Sequence, residues 1–176
     1  MPDKYRMTYT IHVCVRYMDA HTYRDRVEQA VLDEGYEPFD AGPVADFEPV
    51  WHDRTEDPTI GVTDVFVTVA EAADVDASVV ADTAESFREL LTDASPADPG
   101  SMQNRFGYVV FPVSDPDPSL VEFATEEYTV ADRRTSVFPL IYDLDAETLH
   151  RHDVPRLKGR GFYEKQRLDA DTLFDV

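Results

Sequence analysis

The sequence predicts one layered α/β or α+β domain, a mixed sheet of about five to seven strands with helices packed on it. Three observations carry that expectation. Short apolar runs rich in β-branched or aromatic residues recur at residues 8–16, 60–69, 106–113 and 137–142. Segments with apolar residues at helical spacing alternate with them, at residues 22–34, 79–91 and 119–128. The strongest runs are almost continuously apolar, as central strands covered on both faces should be. With 176 residues, 43% of them hydrophobic, the chain is long enough to bury a core as a single domain over residues 1–176.

Each element follows from local chemistry. Residues 8–16 (TYTIHVCVR) read as the first strand, Ile11, Val13 and Val15 alternating against His12, Cys14 and Arg16. Cys14 is the single cysteine, which excludes a disulfide framework and a cysteine-based metal cluster and suits a small buried thiol. After a turn at 17–21, a helix is expected over 22–34, with Tyr23, Val27, Ala30 and Val31 as its apolar stripe and Gly35 as its stop. Residues 36–39 are a short strand candidate. Residues 44–51 are another, held to an edge or a strand end by Pro49. Residues 53–58 read as a polar loop.

Residues 60–69 form a strong strand, with Val65, Val67 and Val69 on one face and Phe66 on the other. The helix over 79–91 turns Val80, Ala84, Phe87, Leu90 and Leu91 to the core, and residues 93–102 form a loop. After the strand at 106–113, Asp117 or Ser119 can cap a helix over 119–128. Residues 137–142 form a strand, 143–146 a turn and 148–152 its hairpin partner. A loop containing Pro and Gly over 154–161 leads into a terminal helix over 162–174. No internal repeat is visible.

Charge sets a second boundary. The formal net charge is −20, with pI near 4.3. Acids occur in nearly every segment. Asp outnumbers Glu, 23 to 13, and three Lys stand against thirteen Arg. In this the chain resembles the cytoplasmic proteins of salt-accumulating archaea. At molar salt the Debye length is ~3 Å, so the self-repulsion of such a surface is screened. No apolar run approaches the ~20 residues of a membrane span, and the polar N-terminus lacks the apolar segment of a signal peptide. A soluble cytoplasmic protein without membrane contact is therefore expected.

Three constellations are candidates for chemistry. Residues 22–112 can be ordered as a helix, three strands, a helix and a strand, which resembles a restriction-endonuclease-like core. That resemblance implies Asp46 or Glu48 as a first acid and Asp64 as a second, together binding Mg2+ to activate water. The Lys that such a site carries two residues after the second acid is Phe66 here. A second candidate is His150-Arg-His152-Asp153. Residues i and i+2 of a strand share a face, so His150 and His152 could reach one metal, with Asp153 or Asp143 adding an oxygen.

The third candidate is the basic loop Arg156, Lys158 and Arg160. The 35 residues from Arg133 to Arg167 carry net charge +3 in an otherwise acidic chain. Gly159 and Gly161 would let backbone N–H groups approach an anion. The loop has neither Walker nor dinucleotide-loop spacing, and its bland role is to anchor the last helix to the chain's own carboxylates.

No hydrolase elbow G-x-S-x-G occurs. The favoured expectation is a non-enzymatic interaction or accessory domain of a halophilic archaeal cytoplasm, with a protein partner or self-association and no cofactor. The alternative is a restriction-endonuclease-like nucleic-acid-processing enzyme or its inactive relative, and only that alternative calls for Mg2+. Nucleic acid is the less favoured partner.

Overall fold

The computed structural model of the chain describes residues 18–42, 47–59, 61–96 and 100–176. The strand expected over 8–16, with His12 and Cys14, lies outside the described residues, as does Asp46. Helix α1 (Ala20–Asp33) starts at Asp19, whose carboxylate accepts the Thr22 N–H at 2.7 Å. Strands β1 (Glu37–Pro38), β2 (Val50–Asp57) and β3 (Gly61–Val69) follow, then α2 (Ala77–Ala94) and β4 (Gln103–Val113). Helix α3 (Pro118–Glu122) continues directly as a π-helical turn over Phe123–Glu127. Strands β5 (Ala131–Asp132), β6 (Thr135–Asp143) and β7 (Thr148–His150) and helix α4 (Arg160–Leu173) complete the chain.

Among the described residues, seven strands form one mixed sheet in the order β1-β2-β3-β4-β6-β5, with β7 also paired to β6. Strands β3, β4 and β6 are parallel, and the remaining pairings are antiparallel. The expected mixed sheet with helices packed on it is thus the observed architecture.

Alternation along the strands splits the core into two layers. On one face, Trp51, Val65, Val67, Tyr108, Phe138 and Leu140 pack under α1 and α4. On the other, Phe66, Val109, Phe111, Val137 and Ile141 pack under α2, Leu120 and Ala124. Phe66 lies opposite Val65 and Val67, as the periodicity requires. Gly107 lies where α2 crosses β4. A Cβ there would stand 2.9 Å from Leu91 Cδ2 and 3.1 Å from Phe87, so the missing side chain lets the helix settle on the sheet.

Two boundaries differ from expectation for physical reasons. Residues 53–57 are strand, not loop: they pair with β3 at the sheet edge, Arg54 opposite Asp64 and Glu56 opposite Val62. Arg54, Thr55 and Glu56 are exposed there, so this half of β2 carries no apolar signature. The last hairpin strand stops at His150 instead of 152.

A buried Arg88 ties α2 to the segment before β6. Its guanidinium donates to the carbonyls of Thr129 (3.0 Å), Val130 (3.0 Å) and Thr135 (3.1 Å), to the Tyr128 hydroxyl (2.9 Å) and to Glu85 (3.2 Å). Arg is suited to this because its planar fork carries five donors.

Candidate functional site

Asp64 occupies the α2 face of β3, between edge strand β2 and central strand β4. Its carboxylate is wholly buried. One oxygen accepts from His52 Nε2 at 2.9 Å and has the Arg54 guanidinium at 3.7 Å. The other accepts the Ser95 hydroxyl at 2.6 Å and Gln103 Nε2 at 2.8 Å. Burial by itself would raise the Asp64 pKa, but the hydrogen bonds from Ser95, Gln103 and His52 and the charge of Arg54 outweigh it and hold the carboxyl below its usual range. Ser95 is the C-cap of α2, and its carbonyl accepts from Arg105 Nε at 2.6 Å. The cluster therefore pins the end of α2 to β2, β3 and β4.

Among the described residues, Asp64 and Glu48 are not brought together in the metal centre that the nuclease resemblance implies, and Asp46 lies outside those residues. Glu48 lies beyond Val50, which pairs with Thr68. Asp64 and Thr68 are four residues apart on β3, about 13 Å of strand at ~3.3 Å per residue. Both Asp64 oxygens already serve protein donors, and Phe66, in place of the expected Lys, is core. His52 is held edge-on by Phe39 and face-tilted by Phe66, with its side chain 26% exposed.

The His150 and His152 rings have different surroundings, although both line a shallow pocket of about 570 Å³ together with Asp153. Because β7 ends at His150, the shared face of residues i and i+2 does not extend to His152. His150 pairs with Ile141 in the ladder. The His152 ring is buried edge-on against Phe138 and near Tyr163, and its Nε2 donates to the Pro139 carbonyl at 3.1 Å. A carbonyl only accepts, so Nε2 carries the proton. Burial, against the smaller opposing effect of that hydrogen bond, pushes the His152 pKa down to about 4, and the ring is a neutral core element. Among the described residues no group of three His, Cys, Asp or Glu is placed to hold a metal ion.

The basic loop is only partly paired among the described residues. Arg160 pairs with Glu164 at 2.7 Å on its own helix, while among the described residues Arg156 and Lys158 have no ion pair. Two contacts from outside the loop tie α4 down, Tyr108 donating to Asp169 at 2.6 Å and Arg151 meeting Asp171 at 3.3 Å, while Lys165 meets Asp169 at 2.8 Å within the helix. Among the described residues, the ties that hold α4 to the sheet thus come from outside the loop. Between the two free cations, Leu157 is 89% exposed, and Phe162 in the first turn of α4 is 47% exposed while touching Phe106. Gly159 at φ 77° turns the chain into the helix, a left-handed geometry that Gly adopts without strain.

No family model, curated protein or solved structure matches this chain.

On the opposite face of the sheet, a groove of about 840 Å³ runs between α2 and the segments 39–41 and 47–48. Asp82, Ser86, Glu89 and Asp93 line it from α2, and Asp40, Glu48 and Glu71 line it from the other side. Its one cation, Arg24, is engaged by Glu71 at 3.2 Å. Phe39, Phe47, Leu90 and Phe111 give it an apolar floor. Sequence reasoning passed over this groove, although residues 82, 86, 89 and 93 recur at helical spacing. It also passed over Leu157, whose signal is a bulky aliphatic side chain with no periodic partner, set between two cations. The contact of His52 with Asp64 had no local signal, since it exists only through the β2–β3 register.

Proposed function

We propose that this chain is a non-enzymatic interaction domain that docks a protein partner through the loop Arg156–Arg160 and the adjoining Phe162, working in the salt-rich cytoplasm that its composition suits. The observation that carries this reading is Leu157, 89% exposed between two cations that have no ion pair among the described residues. A large aliphatic side chain held in water by a turn loses apolar hydration only when something covers it, at about 25 cal/mol per Å². Interfaces are enriched in aromatic residues and Arg, which Phe162 and Arg156 supply beside Leu157, and a partner surface of acid around an apolar pocket would complement this loop. The internally satisfied Asp64 cluster, separated along β3 from Glu48, favours this reading over the nuclease alternative.

The test replaces Leu157 with a photo-crosslinking analogue in expressing cells, with the exposed Leu168 of α4 as control. A discrete protein adduct from position 157, absent from position 168, is the expected result. Equal or absent crosslinking at both positions refutes docking through the loop. A parallel assay incubates DNA and RNA with Mg2+ or Mn2+ in high salt. Cleavage that Asp64→Ala abolishes would instead establish the nuclease alternative.

A further inference from the structure

We infer that the partner surface is the acidic groove beside α2 on a second copy of this chain, so that molecules associate head to tail. The inference rests on the loop being a docking element, and it names the surface that receives it. Complementarity is the first argument. The groove presents Glu71, Asp82, Glu89 and Asp93 around an apolar floor that includes Leu90, and the loop presents Arg156 and Lys158 around Leu157. Among the described residues Asp82, Glu89 and Asp93 have no basic partner, and neither Arg156 nor Lys158 has an acidic one. Both sets of charges are therefore available to each other. The groove volume, about 840 Å³, lies in the range of pockets that enclose a whole small ligand, so it has room for an aliphatic side chain and a neighbouring cation.

The topology decides the mode of association. The loop leads into α4, whose Phe162 and Tyr163 pack on Phe106 and Phe138. Those two rings belong to the α1 and α4 face of the sheet. Most of the groove is built on α2, Phe47 and Phe111 of the other face, near the end of β3, where Val69 and Arg24 of α1 also border it. A chain's loop and the bulk of its own groove therefore lie on different faces and toward different ends of β3 and β4, so the loop does not reach back to fill it. For the same reason one two-fold pair cannot satisfy both contacts at once, because that would require loop and groove to share a side. The contact is heterologous, which produces open chains or a closed ring instead of a self-limited dimer. Electrostatic attraction is screened at molar salt, whereas covering Leu157 is not, so the apolar anchor retains the contact in concentrated KCl.

The experiment uses the full chain and two double variants. One carries Leu157→Asp and Lys158→Glu, leaving its groove intact. The other carries Glu89→Lys and Asp93→Lys, leaving its loop intact. Masses are measured by sedimentation velocity in molar KCl over a range of concentrations. The wild type is expected to grow beyond a dimer with concentration, and each variant alone to remain a monomer. Mixed in equal amounts, the variants are expected to form a one-to-one heterodimer and nothing larger, since one intact loop meets one intact groove. The heterodimer also shows that both variants are folded. A wild type that stays monomeric at every concentration overturns the inference. Association abolished by the loop variant but unchanged in the groove variant also overturns it, while leaving the docking loop in place with a different receiving surface. Crosslinking from position 157 to a different protein, with a monomeric wild type, has the same meaning.

Discussion

His152 offers the sharpest quantitative test of the core. Its ring is buried against Phe138 and Tyr163, its one described hydrogen bond goes to the Pro139 carbonyl, and its pKa falls from 6.5 to about 4. The unfolded chain takes up a proton at this residue as pH drops below 6.5, while the folded chain refuses it until about 4. Stability contributed by the neutral ring is therefore complete above pH 6.5, falls as the pH decreases toward 4, and changes no further below that. The full difference corresponds to about 3 kcal/mol, and the part lost between about pH 7.5 and about pH 5 to about 2 kcal/mol.

The perturbation is His152→Gln, which keeps a donor for Pro139 and removes the titration. Unfolding free energies of both proteins are measured by denaturant titration in molar KCl, where surface carboxylates are screened. The difference between wild type and variant should shift by about 2 kcal/mol in favour of the variant over that pH interval. Parallel stability profiles would show that the ring titrates in the folded state much as in the unfolded chain. The account of His152 as a neutral core residue would then fail.

Four further outcomes are expected. Arg88→Met leaves the carbonyls of Thr129, Val130 and Thr135 without this donor and should cost about 3 kcal/mol or more, with Arg88→Lys recovering only part; unchanged melting of the Met variant would contradict the clasp. Gln166 is buried in α4 with neither side-chain polar atom hydrogen-bonded among the described residues, so Gln166→Met should raise stability by about 1–3 kcal/mol, and a lower denaturation midpoint would refute that. Asp64 has a depressed pKa, so its contribution is present above the unfolded carboxyl value and is lost as pH falls through its folded value. Asp64→Asn should therefore weaken the protein at neutral pH by about 1–3 kcal/mol and flatten the acid limb of its stability profile, and an unchanged acid limb would count against it. Transfer from molar KCl to dilute buffer should lower the melting temperature and the helical circular dichroism, because a formal charge of −20 is then unscreened, and identical melts in both buffers would refute the salt-adapted reading.

Much of this protein was legible from residue order alone. The strands at 61–69, 103–113 and 135–143 and helices α1, α2 and α4 follow from the spacing of apolar residues, because each buries a face whose period equals its backbone repeat. The division of Val65 and Val67 from Phe66 into separate core layers follows from the same rule. Composition by itself determined the acidic, lysine-poor surface. Polar structure was illegible locally. Residues 53–57 became strand through pairing with β3 at an edge that needs no apolar side chains.

Beyond the i,i+4 pairs within a helix, tertiary structure decided which charged groups meet. Strand register brought His52 and Arg54 to Asp64 and closed that carboxylate with Ser95 and Gln103. The end of β7 at His150 left His152 outside the strand, with its ring buried against Phe138. Folding also left Leu157, Arg156 and Lys158 outward on one face and the carboxylates of α2 around a groove on the other. The reason is physical. Burial periodicity is a property of neighbours along the chain, whereas an electrostatic pairing depends on a distance across the fold, which only the assembled sheet and its covering helices set.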